Sequence, residues 1–166
     1  GLPKKDKMEL IIQKAVELGA AKVIPVVTKR TIVKTEGGKE EKKLVRWQAI
    51  AESAAKQSGR GVIPEIAPIH TWKEDLASMA DFDYNVILYE NAEGMKPTAE
   101  CLKSAGKKGS IGIFVGPEGG FTEEEVAQVA ECGADCLSLG KRILRTETAG
   151  LAMLSMLMLA VECTME

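Results

Sequence analysis

The chain alternates between two rhythms. Apolar positions three and four apart mark helices, and short apolar runs closed by glycine or proline mark strands. Between Asp6 and Leu18, residues Met8, Ile11, Ile12 and Ala15 share a helical face. Asp6 and Glu9 have capping-box spacing, and Gly19 suits a left-handed stop. "AKVIPVV" reads as a buried strand in which Pro25 suggests an edge or a bulge. The polar loop "KTEGGKEEKK" leads into a second helix, about Glu40 to Ser58, stopped by Gly59. "PEIAPI" is a weak strand, Lys73 to Met79 a short helix, and "YNVILYE" a strong strand. Pro97 to Ala105 reads as a helix with proline in its first turn. "SIGIFVG" is a strand, Thr122 to Cys132 a helix ending at Gly133, "ADCLSLG" a strand, and Thr146 to Glu162 the last helix. This alternation predicts an α/β fold, a mainly parallel sheet with helices on both faces. Without repeat, low-complexity segment or internal boundary, residues 1–166 read as one domain.

Composition narrows the picture. Apolar residues make up 45% and charged residues 28%, the balance of a soluble globule. A net charge of −2 speaks against a broad positive coat and weighs on any nucleic-acid reading. Cys101, Cys132, Cys136 and Cys163 form no Cys-x-x-Cys pair, and His70 is the only histidine. The expectation is therefore buried thiols in a reducing compartment and no metal. Acids interrupt the apolar positions of the N-terminus, unlike a signal peptide, and the apolar run Leu151 to Val161 is too short to span a bilayer. A cytosolic protein is expected, or one in an organelle after processing. The opening Gly-Leu-Pro looks like an arbitrary boundary with a segment missing upstream.

The candidate chemistry sits where strands give way to helices. "GPEGG" follows a strand and precedes a helix, the place where open α/β sheets bind ligands. It lacks the Lys-Ser/Thr ending of a P-loop and is not G-x-G-x-x-G. The following helix opens with Thr122 and Glu125 as a capping box, and Glu123 to Glu125 complement the dipole. A phosphate there would meet negative charge. A neutral or cationic ligand, such as an adenosine with a sulfonium, is tolerated; a tight, well-capped turn with no ligand is the other reading.

Two more strand ends carry polar residues. After Leu139-Gly140, the basic segment Lys141 to Arg145 leads into the last helix, apolar on nearly all sides and therefore expected to be deeply buried. Arg145 is either a solvated loop arginine, a partner for Glu147, or a cation aimed into a cleft at a polar substrate. Tyr89 and Glu90 end the strand "YNVILYE". Three such loops at one sheet edge are compatible with a single pocket.

"KAVELGAAKVIPVVTKRT", "AESAAKQSGR", "ILYE", "GPEGGFTEEE" and "LGKRILRTETA" stand in an order that resembles the RsmE-like branch of the SPOUT superfamily. These are RNA methyltransferases acting on N3 of a uridine in 16S ribosomal RNA. The resemblance covers nearly the whole chain. It implies a parallel α/β sheet whose last helix threads a loop as a trefoil knot. It also implies bent S-adenosyl-L-methionine held by three loops: Leu88, Tyr89 and Glu90; Gly116, Glu118, Gly119 and Gly120; and Leu139, Gly140, Ile143, Leu144 and Arg145, with Thr148 and Ala149 opening the last helix. Members are homodimers with the site near the subunit interface. They usually carry an N-terminal PUA-like barrel, which is not expected within residues 1–166, and Arg-Ser where this sequence has Arg30-Thr31.

Within the resemblance, Arg145 is the candidate that stabilises charge on the uracil carbonyls, and Glu118 the motif carboxylate nearest to a proton-acceptor role. Lys14, Arg30, Glu52, Gln57 and Arg60 are candidates for contact with ribosomal RNA or the small ribosomal subunit. A structural Lys14–Glu52 pair and a helix-capping Arg60 are the competing readings. Rival functions are a related knotted enzyme acting on another base or a ribose hydroxyl, a non-catalytic RNA-binding or ribosome-assembly module, and a nucleotide-phosphate binder.

Overall fold

Every strand pair among the described residues runs parallel, so each connection must cross from one sheet end to the other, usually through a helix. The computed structural model describes residues 1–32 and 37–164, and only the backbone of 37–39.

The first helix, α1 (Lys7–Glu17), buries Met8, Ile12, Ala15 and Val16. Asp6 makes no side-chain cap, contrary to the expected capping box; Glu9 instead pairs with Arg46 at 2.9 Å. At the other end, the Gly19 amide donates to Val16 O and the Ala20 amide to Ala15 O, at 3.1 and 2.9 Å. This is the Schellman arrangement. Gly19 has φ +96°, and a Cβ there would lie 2.7 Å from Met158 Cε, so the glycine both turns the chain and admits the last helix. Arg60 Nη1 donates to Val16 O at 2.9 Å and Ala20 O at 2.6 Å. Arg60 therefore caps α1. The competing reading of Arg60 as a helix-end cap describes this geometry, in which the cation serves orphan carbonyls at a negative helix end.

The run "AKVIPVV" breaks at Ile24–Pro25 into β1 (Lys22–Val23) and β2 (Val26–Val27). Helix α2 (Gly37–Gln57) starts earlier than expected; residues 33–36 of the polar stretch lie outside the described residues. β1 pairs with β3 (Glu65–Ile66), and β2 with β4 (His70–Thr71). Pro25 has no amide to offer, but its carbonyl accepts from the His70 amide at 2.8 Å. α3 (Trp72–Ser78) opens with a Thr71/Glu74 capping box. Trp47, Ala51 and Ala55 of α2 pack with Ile12 and Val16 of α1 into one core.

The second half is built on β5 (Tyr84–Leu88), β6 (Ile111–Phe114) and β7 (Asp135–Leu137), in the order β6-β5-β7. Asn85 to Leu88 are buried, as befits a central parallel strand. α4 (Lys96–Ser104) and α6 (Thr146–Glu162) share a core with Val86, Leu88 and Leu137. α5 (Glu123–Glu131) shares another with Ile87 and Phe121 through Val129. Successive residues of β5 thus meet helices on opposite faces. Among the described residues the expected single sheet is divided into three short parallel ones.

Two expectations need correction. α6 buries only Met153 and Leu157 fully, and Leu159 is 64% exposed, because one face of the helix has no covering neighbour among the described residues. Cys101 is buried, but Cys136 is half-buried, and Cys132 and Cys163 are exposed at or beyond helix ends. No helix among the described residues is long and apolar enough to cross a membrane.

The halves meet where α1 packs on α6 and around a cleft of about 490 Å³ lined by Met8, Ile11, Ala15, Ile113, Leu154 and Met158. One tie between them is Glu125, fully buried. Its Oε2 accepts from the Thr122 amide at 2.8 Å, completing the expected capping box, while Oε1 accepts from the Lys29 amide at 2.8 Å. One carboxylate thus caps α5 and anchors the turn after β2. A buried carboxylate is tolerated when amides surround it.

Two stability predictions follow from these contacts. Arg60→Ala should cost about 1.5–3 kcal/mol in urea unfolding, the range for hydrogen bonds to a charged donor. Glu125→Ala should cost about 2–4 kcal/mol in the same assay, since it removes a cap and leaves the part-buried Lys29 amide without its acceptor.

Candidate functional site

The carboxyl ends of β5, β6 and β7 lie level: Leu88 is opposite Leu137 and Ile87 opposite Phe114. The loops 89–95, 115–122 and 138–145 therefore emerge at one edge, where parallel sheets bind ligands. All the residues proposed to hold a cofactor lie on these loops, at the end of β5 or at the start of α6.

The loops are tied to one another. The Gly120 amide donates to Pro117 O at 2.8 Å, closing the turn Pro117–Gly120. Gly120 has φ +67°, and a Cβ there would stand 2.8 Å from Glu90 Oε1, so the first loop's carboxylate rests against the second loop. Thr146 Oγ1, at the start of α6, donates to Gly116 O at 2.9 Å and joins the third loop to the second. The Tyr89 amide donates to Leu137 O at 3.1 Å. Thr98 Oγ1 holds Ser138 O at 2.7 Å, and Ser138 Oγ accepts from the Gly140 amide at 3.2 Å.

What these ties leave free is peptide. The amides of Leu139, Ile143 and Leu144 meet no protein acceptor among the described residues. Leu88 and Gly116 are buried, Tyr89, Leu139, Leu144 and Ala149 half-buried, and Thr148 exposed. Ile143 is 85% exposed. Close by, the α5 N-terminus is acidic, and Glu124 pairs with the Lys29 ammonium.

Glu118 and Arg145 stand in contrasting surroundings. The Glu118 carboxylate accepts from the Lys4 amide at 3.0 Å and pairs with Lys7 Nζ at 3.3 Å. Partial burial pushes its pKa up, but the Lys4 amide, its own amide and the Lys7 ammonium outweigh that and leave it below the ordinary value. It is a weak proton acceptor. Lys7 also reaches Glu147 at 3.2 Å, so the ion pair considered for Arg145 belongs to Lys7. Arg145 is exposed; its carbonyl accepts from the Ala149 amide at 2.8 Å, and its side chain has no hydrogen-bonded or ion-paired partner among the described residues. Its extended backbone, φ −67° and ψ 153°, places it at the N-cap of α6.

The RNA candidates separate. Lys14 pairs with Glu17 at 2.9 Å rather than with Glu52, which is half-buried. Lys14, Glu17, Ser53 and Gln57 line a small surface cleft between α1 and α2, about 350 Å³. Arg30 is held elsewhere: its Nη1 donates to Gly119 O at 2.7 Å and Phe121 O at 3.2 Å. Lys7, Lys29, Thr98 and Thr146 were missed by sequence reasoning. Their partners lie far along the chain, and no local spacing betrays them. Thr146 alone carried a signal, as a hydroxyl beside a candidate arginine at a helix start.

Comparison with known proteins places this arrangement. A family model described as an RNA methyltransferase domain matches residues 1–158. The ribosomal RNA small subunit methyltransferase E of Bacillus subtilis is 45% identical over 158 residues, 93% of this chain and 62% of that protein. The crystal structure of a ribosomal RNA small subunit methyltransferase E from Neisseria gonorrhoeae bound to S-adenosyl methionine superposes with a TM-score of 0.80. It is 39% identical and covers 93% of this chain and 61% of that one. A Legionella pneumophila methyltransferase in complex with the same cofactor gives a TM-score of 0.86 at 33% identity, over 96% of this chain and 63% of that one. The chain spans about three fifths of the length of these relatives. A match that runs from the first residue to within α6, over a fold that superposes this closely, makes the chain a member of the RsmE-like RNA methyltransferase domain family.

Proposed function

We propose that this chain is the catalytic part of an S-adenosyl-L-methionine-dependent methyltransferase that modifies N3 of a uridine in small-subunit ribosomal RNA. The carrying observation is the edge where three parallel strands finish together, their loops cross-tied and offering uncharged peptide groups. Relatives with this fold are described as complexes with S-adenosyl methionine. The same reading makes the chain one cytoplasmic domain, with an N-terminal RNA-binding region belonging to the longer relatives.

The donor fits the residues present. Free amides at Leu139, Ile143 and Leu144 suit a neutral adenosine, and the acidic start of α5 is compatible with a sulfonium but not with a phosphate. Leu88, Tyr89, Glu90, Gly116, Gly119, Gly120, Leu139, Gly140, Ile143 and Leu144 would hold it, with Thr148 and Ala149 closing the floor. When bound, it supplies an electrophilic methyl carbon. The chain's own part is positioning, which carries much of the barrier to such a transfer. Arg145, its side chain unpaired among the described residues at the N-cap of α6, offsets the negative charge that develops on the uracil carbonyls as N3 gives up its proton to solvent water. Glu118 is a structural anchor, because its carboxylate is held in its charged form by Lys4 and Lys7. Lys14 and Gln57, which line the α1–α2 cleft, together with half-buried Glu52 and Arg60, are the candidates for RNA contact. α6 threads a loop as a trefoil knot and presents its uncovered apolar face, including Leu159, to a second copy of the chain.

S-adenosyl methionine should raise the unfolding midpoint of the chain and ATP should not. With small ribosomal subunits as acceptor, labelled methyl should appear on a single uridine, at N3 by mass spectrometry. Methyl on a ribose hydroxyl or another base would reject the assignment. Arg145→Ala should lower kcat about 100-fold while donor affinity changes less than threefold, as expected for a group acting mainly in the transition state. Unchanged turnover would remove Arg145 from the mechanism.

A further inference from the structure

One short segment grips the glycine turn from outside the three-stranded sheet. After β2 the chain folds on itself: the Thr28 amide donates to Thr31 Oγ1 at 2.9 Å, and the Thr31 amide to Thr28 O at 3.1 Å. The two residues at the tip of this turn both reach the turn's surroundings. Lys29 gives its amide to buried Glu125 and its ammonium to Glu124. Arg30 gives Nη1 to Gly119 O and Phe121 O.

The two carbonyls held by Arg30 flank Gly120, the residue with φ +67° that lies against Glu90. Each belongs to a peptide unit whose amide is also occupied. The Gly120 amide donates to Pro117 O at 2.8 Å, and the Thr122 amide to Glu125 Oε2 at 2.8 Å. Both peptide planes are therefore fixed at both ends. The Gly120–Phe121 peptide between them makes no protein hydrogen bond among the described residues. A glycine-rich turn has many conformations to lose, so a loop fixed before the ligand arrives binds more tightly.

We infer that Arg30 is a positioning residue for the methyl donor, clamping the glycine turn through the Gly119 and Phe121 carbonyls rather than holding RNA phosphate. This rests on the donor site proposed above. The clamp makes a prediction that a phosphate contact does not. Lysine keeps the charge, but both bonds come from Nη1, which stands one atom farther along the side chain than a lysine ammonium reaches. A phosphate contact would survive Arg30→Lys; the clamp would not.

The test measures the affinity of S-adenosyl methionine by calorimetry for the wild type, Arg30→Ala and Arg30→Lys, well below each variant's unfolding midpoint. It also measures the salt dependence of binding to a small-subunit ribosomal RNA fragment. Both variants should weaken donor binding by about tenfold, the loss of one or two charge-assisted hydrogen bonds from a preorganised loop. The KM for donor should rise with that for RNA unchanged, and the salt slope should stay as in the wild type. Intact donor affinity in both variants, with a slope flattened by about 0.7–0.9 in Arg30→Ala alone, would overturn the clamp in favour of phosphate contact. A lowered midpoint with unchanged donor affinity would leave Arg30 a purely structural residue and overturn it too. If the wild type itself gives no heat with the donor, the site reading fails and takes the clamp with it.

Discussion

Parallel pairing is the constraint from which the rest follows. Strands that run the same way must finish at the same edge, so the loops after β5, β6 and β7 have no choice but to be neighbours. Burial of β5 on both faces fixes the register, because a slip of one residue would exchange Val86 and Ile87 between two different cores. The edge is therefore as well determined as the interior beneath it. Loops rich in glycine would still wander there, and the cross-ties remove that freedom: Thr146 to Gly116, Glu90 against Gly120, Tyr89 to Leu137.

The first half of the chain completes the edge from behind. Lys7, at the start of α1, bridges Glu118 of the glycine turn and Glu147 of the last helix, at 3.3 and 3.2 Å. Glu125 anchors the turn after β2, and Arg30 returns the contact to the glycine turn. The carboxylates around the site are thus largely occupied, and what faces the ligand is mostly neutral peptide. That balance suits a phosphate-free adenosine derivative. It also explains how a chain of net charge −2 can belong to an RNA-modifying family: its charge is distributed into ties and caps rather than spread as a field.

Much of this was legible along the chain, wherever the deciding contacts are local. The last helix begins at Thr146 and ends at Glu162, as its apolar pattern and flanking residues indicate. The Thr122/Glu125 capping box was readable from spacing and is present. The same spacing at Asp6 and Glu9 failed because Asp6, at φ −87° and ψ 8°, is not in the extended conformation a capping side chain needs. Arginines were harder to read. Arg30 finds its carbonyls 89 and 91 residues away, and Arg60 finds its own 40 and 44 residues away. A sequence shows the cation but not the distant carbonyl that claims it. The burial of α6 was overread for a related reason, since an all-apolar helix is equally suited to a core and to a face left uncovered by the described residues.

The central claim is that three strand-end loops form one site for a neutral-headed methyl donor. Amide chemical shifts during titration with S-adenosyl methionine test it most directly. The account predicts saturable shifts concentrated at residues 88–90, 116–121 and 139–149, with the α1–α2 cleft around Lys14 and Gln57 unmoved. Shifts confined to a single loop, or centred elsewhere in the fold, would contradict it.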